Sequence, residues 1–149
     1  MEKVLYCLSG VADTGAIDRV GMSDALRAAG AYQVQLNLAD SEVAAGNGRK
    51  MASSSAPADA VVSVWLDSAI DGYRRPVDAV LESLGADVAA YLVTGAVPMR
   101  NTAHPAAPGT RTTGMAHLAF FRRPEAQSET EWLDIWLNSH TQIAIDPQD

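Results

Sequence analysis

Alternating apolar and polar positions predict four β-strands within the first 95 residues. Residues 3–8 are apolar at both odd and even positions, which is typical of a strand covered on both faces. Residues 32–38 alternate apolar side chains with amides, which predicts a strand with one polar face. Residues 60–66 and 89–94 are two further β-rich apolar runs. The chain therefore offers four strands for one sheet.

Two segments between these strands have helical periodicity. The first, residues 17–29, has one apolar side, with Ser23 as an internal N-cap and Gly30 as its end. The second has Pro76 in its first turn, where a missing N–H costs nothing, and ends at Gly85. Its apolar stripe has the spacing of a helix laid on a sheet: Val77, Val80, Leu81 and Leu84.

The resulting order, β-α-β-β-α-β, predicts an α+β fold of the ferredoxin-like type, with a four-stranded antiparallel sheet and two helices on one face. The opposite face would expose a large apolar surface unless a second sheet covered it. We therefore expect a homodimer or a tandem pseudo-dimer. Residues 40–59 are rich in Ala, Ser and Gly and are predicted to be a surface loop, to which no role is assigned.

The last third of the chain predicts a linker and the start of a second unit. Residues 115–121 predict a strand, and Ser128 and Glu131 have the S-x-x-E pattern of a capping box before a helix that extends to Ile143. The predicted organisation has three parts: a ferredoxin-like unit at 1–97, a Pro/Gly-rich linker at 98–114 and a partial second unit at 115–149.

Composition and charge exclude several classes of function. The 149 residues carry a net charge of −7, whereas a general nucleic-acid binder needs a basic face. No apolar run is long enough for a membrane span, and a single cysteine, Cys7, favours a reduced, cytoplasmic setting. The three histidines have no metal-ligand spacing, and no phosphate-binding or dinucleotide-binding motif occurs. We therefore expect neither a metal nor a cofactor.

The segment from residue 114 to residue 142 resembles the EthD family of the dimeric α+β barrel superfamily. The family pattern is an apolar strand that ends in a basic pair and a proline, then a helix with an aromatic residue shortly before a histidine. The matching positions are Arg122, Arg123, Pro124, Trp136 and His140. The linker also looks like that of tandem members, in which two ferredoxin-like halves share one chain. Such a member would continue through a further β-β-α-β, so the resemblance implies a truncated second half or one completed by a partner.

The resemblance implies a protein that acts on or binds a small apolar or aromatic oxygenated compound. Catalysis would be cofactor-free acid/base chemistry of the cyclase, dehydratase or lyase type, with His140 transferring the proton. The alternative is a non-catalytic barrel that binds a ligand or serves as an accessory protein, because the fold alone does not choose between these functions.

Candidate site residues come from the last helix and from the strands. Trp132, Trp136 and His140 follow one another at intervals of four, so they share one helix face, and His140 either borders a pocket or ties the helix end to the sheet. Arg122 could bind an anionic group of a substrate or be a solvated side chain. Three strand aromatics could stack on a flat ligand at the open sheet face, or pack without a ligand: Tyr6, Trp65 and Tyr91.

Overall fold

A four-stranded sheet with two helices packed on one face is the main element of the structure. The computed structural model describes residues 1–49, 57–95, 97 and 100–140. In chain order the elements are β1 (Glu2–Ser9), a 3₁₀ turn (Thr14–Ala16), α1 (Arg19–Ala28), β2 (Gln33–Leu38), a 3₁₀ segment (Ser41–Arg49), β3 (Ala60–Leu66), α2 (Asp71–Glu82), β4 (Asp87–Val93), α3 (Glu129–Asp134) and a π-helical turn (Ile135–His140).

Strand β1 lies inside the sheet, between β3 and β4. The strands are ordered β2-β3-β1-β4, and each neighbouring pair is antiparallel. Tyr6 of β1 lies opposite Val62 of β3 and Ala90 of β4. Because side chains alternate along a strand, these three residues share one face, whereas Leu5 belongs to the other. The predicted α+β class and antiparallel sheet are confirmed.

The core lies between the sheet and the two helices. Its members come from every second position of the two central strands and from the inner sides of the helices: Val4, Tyr6, Leu8, Val62, Val64, Leu66, Met22, Leu26, Val77 and Leu81. Full burial of a Val or Leu side chain stabilises the fold by about 1.5–3 kcal/mol relative to exposure. We call the side of the sheet that carries this core the helix-covered face and the opposite side the helix-free face.

Helix α1 begins four residues before the predicted N-cap, Ser23. Its N-cap is Asp18, whose carboxylate accepts hydrogen bonds from the N–H groups of Val20 at 3.2 Å and Gly21 at 3.0 Å. The same carboxylate fills the space that a Cβ at Gly21 would need, which explains a glycine within the helix. The prediction of Ser23 as N-cap is wrong because Asp18 already satisfies the free N–H groups.

Helix α2 extends further toward its N-terminus than predicted. It begins at Asp71, so Pro76 is its sixth residue and the prediction that placed Pro76 in the first turn is wrong. Without an N–H, Pro76 cannot donate to the carbonyl of Gly72 four residues earlier, so the helix lacks one intrahelical hydrogen bond. After the helix, Gly85 has a φ of +69°, in agreement with its predicted role as the end.

Residues 115–121 do not form the predicted strand. They have no regular secondary structure, and Met115, Phe120 and Phe121 are exposed. An apolar run becomes a strand only when a neighbouring strand pairs with its backbone groups. Within the described residues the sheet ends at β2 and β4, and neither pairs with this segment. The prediction of a β-α start of a second unit is therefore corrected: the helix is present, but residues 115–121 do not form the strand.

The capping box predicted before α3 is present. The backbone N–H of Ser128 donates to the Glu131 carboxylate at 2.9 Å, and the N–H of Glu131 donates to the Ser128 hydroxyl at 3.2 Å. The helix then continues as a π-helical turn that ends at His140. The predicted helix position Ile143 lies outside the described residues.

The chain divides into two compact units. One comprises Met1–Gly95 with Ala106–Met115, and the other comprises Ala96–Pro105 with Ala116–Asp149. The boundaries predicted at 97 and 114 stay predictions. Of the predicted loop 40–59, residues 41–49 form the 3₁₀ segment, whereas residues 50–56 lie outside the described part. Among the residues that the structure describes, no helix has the length and apolar character needed to cross a membrane.

Replacing Gly85 with Ala should lower the free energy of unfolding by about 1–2 kcal/mol, because a Cβ in the left-handed region crowds the following carbonyl. Urea unfolding followed by circular dichroism measures this change. Gly72→Ala is the matched control: it lies within α2 with open space at the Cβ position, so it should stabilise by about 0.5–1 kcal/mol. Equal effects of the two substitutions would contradict the role of Gly85 as the helix end.

Candidate functional site

Tyr6 places a phenolic hydroxyl inside the core. The residue is 0% exposed, and its O–H donates a hydrogen bond to Oδ1 of Asp78 on α2 at 2.8 Å. Of the two alternatives predicted for Tyr6, stacking on a ligand at the open sheet face or packing without a ligand, the structure has the second, because Tyr6 lies in the core. In the strand register Tyr6 lies opposite positions of the helix-covered face, while Trp65 and Tyr91 lie opposite residues of the other face.

Asp78 connects this hydroxyl to charged groups along α2. Its Oδ2 accepts from Nη1 of Arg74 at 2.8 Å, and Nη2 of Arg74 also donates to Asp71 at 3.1 Å. Burial first, and the hydrogen bond to Asp78 second, raise the pKa of Tyr6 far above its ordinary value of 10.0. The phenol therefore stays neutral and serves as a hydrogen-bond donor.

A pocket of about 300 Å³ lies between α2 and β4, and we call it the α2–β4 pocket. Its polar lining is Tyr6, Arg74, Asp78 and Glu82, and its apolar lining is Val4, Ala69, Val88, Ala90 and Leu92, with Tyr91 at the border. The pocket is half open to solvent, polar atoms supply more of its surface than apolar atoms do, and its volume is at the lower end of the range of small-molecule sites. The arrangement suits a small organic molecule.

Trp65 and Tyr91 lie on the helix-free face, on strands that flank β1. Trp65 is opposite Lys3, whose Nζ lies 4.9 Å from the centroid of the indole ring, within the range of a cation–π contact. Tyr91 is opposite Leu5 and is 51% exposed. No ring contact joins the two aromatics in the described part of the chain. They do not form one stacking surface within the chain.

Four rings of the second unit contact one another along α3 and the π-helical turn; this aromatic stack comprises Phe121, Trp132, Trp136 and His140. Trp136 is central, with ring centroids 5.2 Å from Phe121, 5.5 Å from Trp132 and 4.1 Å from His140. The tilted and edge-on angles are those that aromatic pairs prefer. His140 is exposed, and no described carboxylate forms an ion pair with its imidazole.

Arg122, in the second unit, is exposed. Within residues 100–140, no hydrogen bond or ion pair joins it to the aromatic stack. Within the first unit, Tyr6 and Tyr91 are among the residues of the α2–β4 pocket and Trp65 is not. Within the second unit, Trp132, Trp136 and His140 belong to the aromatic stack and Arg122 does not.

A second charged cluster, the Asp40 clasp, comprises Arg19, Asp40 and Arg111. The side chain of Asp40 is 1% exposed and accepts from Arg19 at 2.8 Å and from two nitrogens of Arg111 at 2.9 and 3.3 Å. The hydrogen bonds from Arg111, with further help from Arg19, hold the pKa of Asp40 below its ordinary value against the opposing effect of burial. The clasp attaches the 106–115 segment to the rest of the first unit.

Sequence reasoning missed the charged groups of both clusters. Arg74 and Asp78 had a usable signal, because their spacing of four residues places them side by side on a helix. No sequence pattern indicated that Asp40 and Arg111 would pair, since they are 71 residues apart in irregular stretches. Only the folded chain brings them together.

Among the residues that the structure describes, no group of three His, Cys, Asp or Glu side chains is arranged to hold a metal ion. Comparison of the chain with protein-family models, with curated proteins and with solved structures finds no match in any of the three. The candidate site therefore rests on the geometry of the α2–β4 pocket.

Replacing Asp40 with Asn should destabilise the protein by about 1–3 kcal/mol at neutral pH, because the arginines lose a buried, charged acceptor. The folded-state pKa of Asp40 is below its ordinary value of 3.8, so its stabilisation is complete above that value and is lost as the pH falls through the folded-state pKa. The gap between wild-type and variant urea midpoints should be full at neutral pH and should narrow below about pH 4.

The control for the clasp is Asp24→Asn, at an exposed position of α1. It should leave the urea midpoint unchanged at neutral pH and below about pH 4. A gap between wild type and Asp40→Asn that did not narrow as the pH falls below 3.8 would contradict a charged clasp, because a carboxylate with a lowered folded-state pKa loses its stabilising effect below that ordinary value.

Proposed function

We propose that residues 1–97 form a ferredoxin-like unit of the dimeric α+β barrel type, similar to the EthD family. The strand order supports this: β1 and β2 run parallel with β3 between them, and β3 and β4 run parallel with β1 between them. Each parallel pair is connected through a helix, α1 or α2, which is the split β-α-β arrangement of that fold.

The function that the geometry supports best is the binding of a small apolar or aromatic oxygenated compound in the α2–β4 pocket. One observation carries this proposal: an open pocket brings apolar side chains of β1 and β4 beside the hydrogen-bonded row of Tyr6, Asp78 and Arg74. Apolar contact would supply affinity, while the polar row would orient an oxygen of the ligand.

Both the α2 side and the β4 side of the pocket present groups that a ligand could contact. Leu92 is 63% exposed on the β4 side, so a ligand that covered it would remove apolar area from water at about 25 cal/mol per Å². On the α2 side, the carboxylates of Asp78 and Glu82 can accept from a ligand O–H or N–H, while the buried Tyr6 hydroxyl donates to Asp78 and helps to fix that carboxylate in place. The one buried donor of this row, the Tyr6 hydroxyl, is therefore already paired, and the carboxylate oxygens remain as acceptors for a ligand.

Acid/base catalysis at His140 stays a prediction. The imidazole is exposed against Trp136, and no described carboxylate is bonded to it to fix its tautomer or orientation. This geometry favours the alternative, a non-catalytic ligand-binding or accessory protein, over the enzyme.

Replacing Ala90 with Trp should weaken binding of tyrosol, a neutral phenolic alcohol, at least tenfold, because the indole would fill the α2–β4 pocket. Amide chemical shifts in an NMR titration of the full chain measure the binding, with the wild type responding at Val4, Val88 and Leu92. Ala28→Trp is the control, since this exposed position of α1 belongs neither to the α2–β4 pocket nor to the helix-free face and should keep wild-type binding. Unchanged binding by Ala90→Trp, or no response of the wild type, would contradict the proposal.

We also propose that the helix-free face packs on the same face of a second copy. Apolar side chains of the central strands stand on this face, including Leu5, Cys7 and Trp65, and the core helices lie on the other side. Covering such a surface with a second sheet is the usual solution for this layer arrangement.

Light scattering after size exclusion should give twice the mass of one chain at micromolar concentration. Leu5→Glu should produce a folded monomer, because it places a charge at the centre of the helix-free face, while Ala28→Glu, at an exposed position of α1, should remain dimeric. Circular dichroism checks that both variants fold. A wild-type monomer at this concentration would overturn the second-copy proposal.

A further inference from the structure

We propose that the α2–β4 pocket selects aromatic or apolar compounds that carry an amine over those that carry a carboxylate. The inference rests on the proposed binding function and names its ligand class. It follows from the charges that line the pocket: two carboxylates, Asp78 and Glu82, and one guanidinium, Arg74.

Arg74, the cation of the pocket, is already paired with two carboxylates of the protein. Arg74 donates through Nη1 to Asp78 at 2.8 Å and through Nη2 to Asp71 at 3.1 Å. A ligand carboxylate would have to compete with both of these neighbours for the guanidinium. It would also approach two fixed negative charges, so an anion gains little from Arg74.

Glu82 supplies the uncompensated charge. It lies one helical turn after Asp78, so Arg74, Asp78 and Glu82 follow one side of α2 along the pocket. In the described part of the chain, the carboxylate of Glu82 has no hydrogen bond and no ion pair, while its backbone carbonyl accepts from the N–H of Gly85 at 3.0 Å. An ammonium group of a ligand would find there a carboxylate with its lone pairs free.

Hydrogen bonding adds to this preference. The buried Tyr6 hydroxyl donates its proton to Asp78, so it offers no donor to a ligand carboxylate. An ammonium group offers three N–H donors, which suits Glu82, whereas a carboxylate offers acceptors alone. Charge and hydrogen bonding therefore favour the same ligand class.

Three matched probes test the inference on the full chain at neutral pH: tyramine, tyrosol and 4-hydroxyphenylacetate, which share a phenol and differ in a cationic, neutral or anionic end. NMR titration should show tyramine binding at least threefold more tightly than 4-hydroxyphenylacetate, with tyrosol between them. The ratio is modest because Glu82 is exposed and its field is screened by water and salt.

Glu82→Gln should bring the affinities for tyramine and 4-hydroxyphenylacetate within twofold of each other. Asp24→Asn is the matched control, because it makes the same change in net charge on α1 and should keep the wild-type preference. Equal binding of all three probes by the wild type, or a preference that survives Glu82→Gln, overturns the amine inference and leaves the binding proposal standing. If no probe shifts the signals of Val4, Val88 or Leu92, the binding proposal fails and the inference fails with it.

Discussion

The hydrogen bond from the buried Tyr6 hydroxyl to Asp78 joins an inner strand of the sheet to α2. A phenol in the core without a partner would cost about 1–3 kcal/mol, so α2 must present an acceptor at this point. Asp78 in turn holds Arg74, and this polar row becomes one wall of the α2–β4 pocket. The hydrogen bond that pairs the buried Tyr6 hydroxyl is thus also the one that positions the charged side chains of Asp78 and Arg74 along the pocket.

Features that depend on neighbouring residues could be predicted from the sequence. The β-rich apolar run at 60–66 located β3 at the residues where the structure has it, because a strand buried on both faces is apolar at nearly every position. The capping box of Ser128 and Glu131 was equally local, since a hydroxyl and a carboxylate three residues apart satisfy the free N–H groups of a helix start. The α+β class followed from such elements taken in order.

Features that depend on distant residues could not be predicted. The alternation in β1 grouped Tyr6 with Val4 and Leu8, but only the pairing with β3 and β4 shows that this group faces the helices and that Trp65 does not. The apolar run at 115–121 looked like a strand because its own pattern carries no information about a partner. For the candidate site, the sequence singled out Tyr6 but not Asp78, which is 72 residues away.

An alkaline titration of Tyr6, followed by the NMR shift of its labelled ζ carbon, tests most directly whether its hydroxyl is buried and bonded to Asp78. The account predicts that Tyr6 stays protonated beyond about pH 11 and ionises only when alkali unfolds the chain, because burial and the Asp78 carboxylate both oppose a phenolate. Ionisation of Tyr6 in the folded protein near its ordinary value of 10.0 would contradict the account, since the hydroxyl would then be open to water and the polar wall of the pocket would not exist as described.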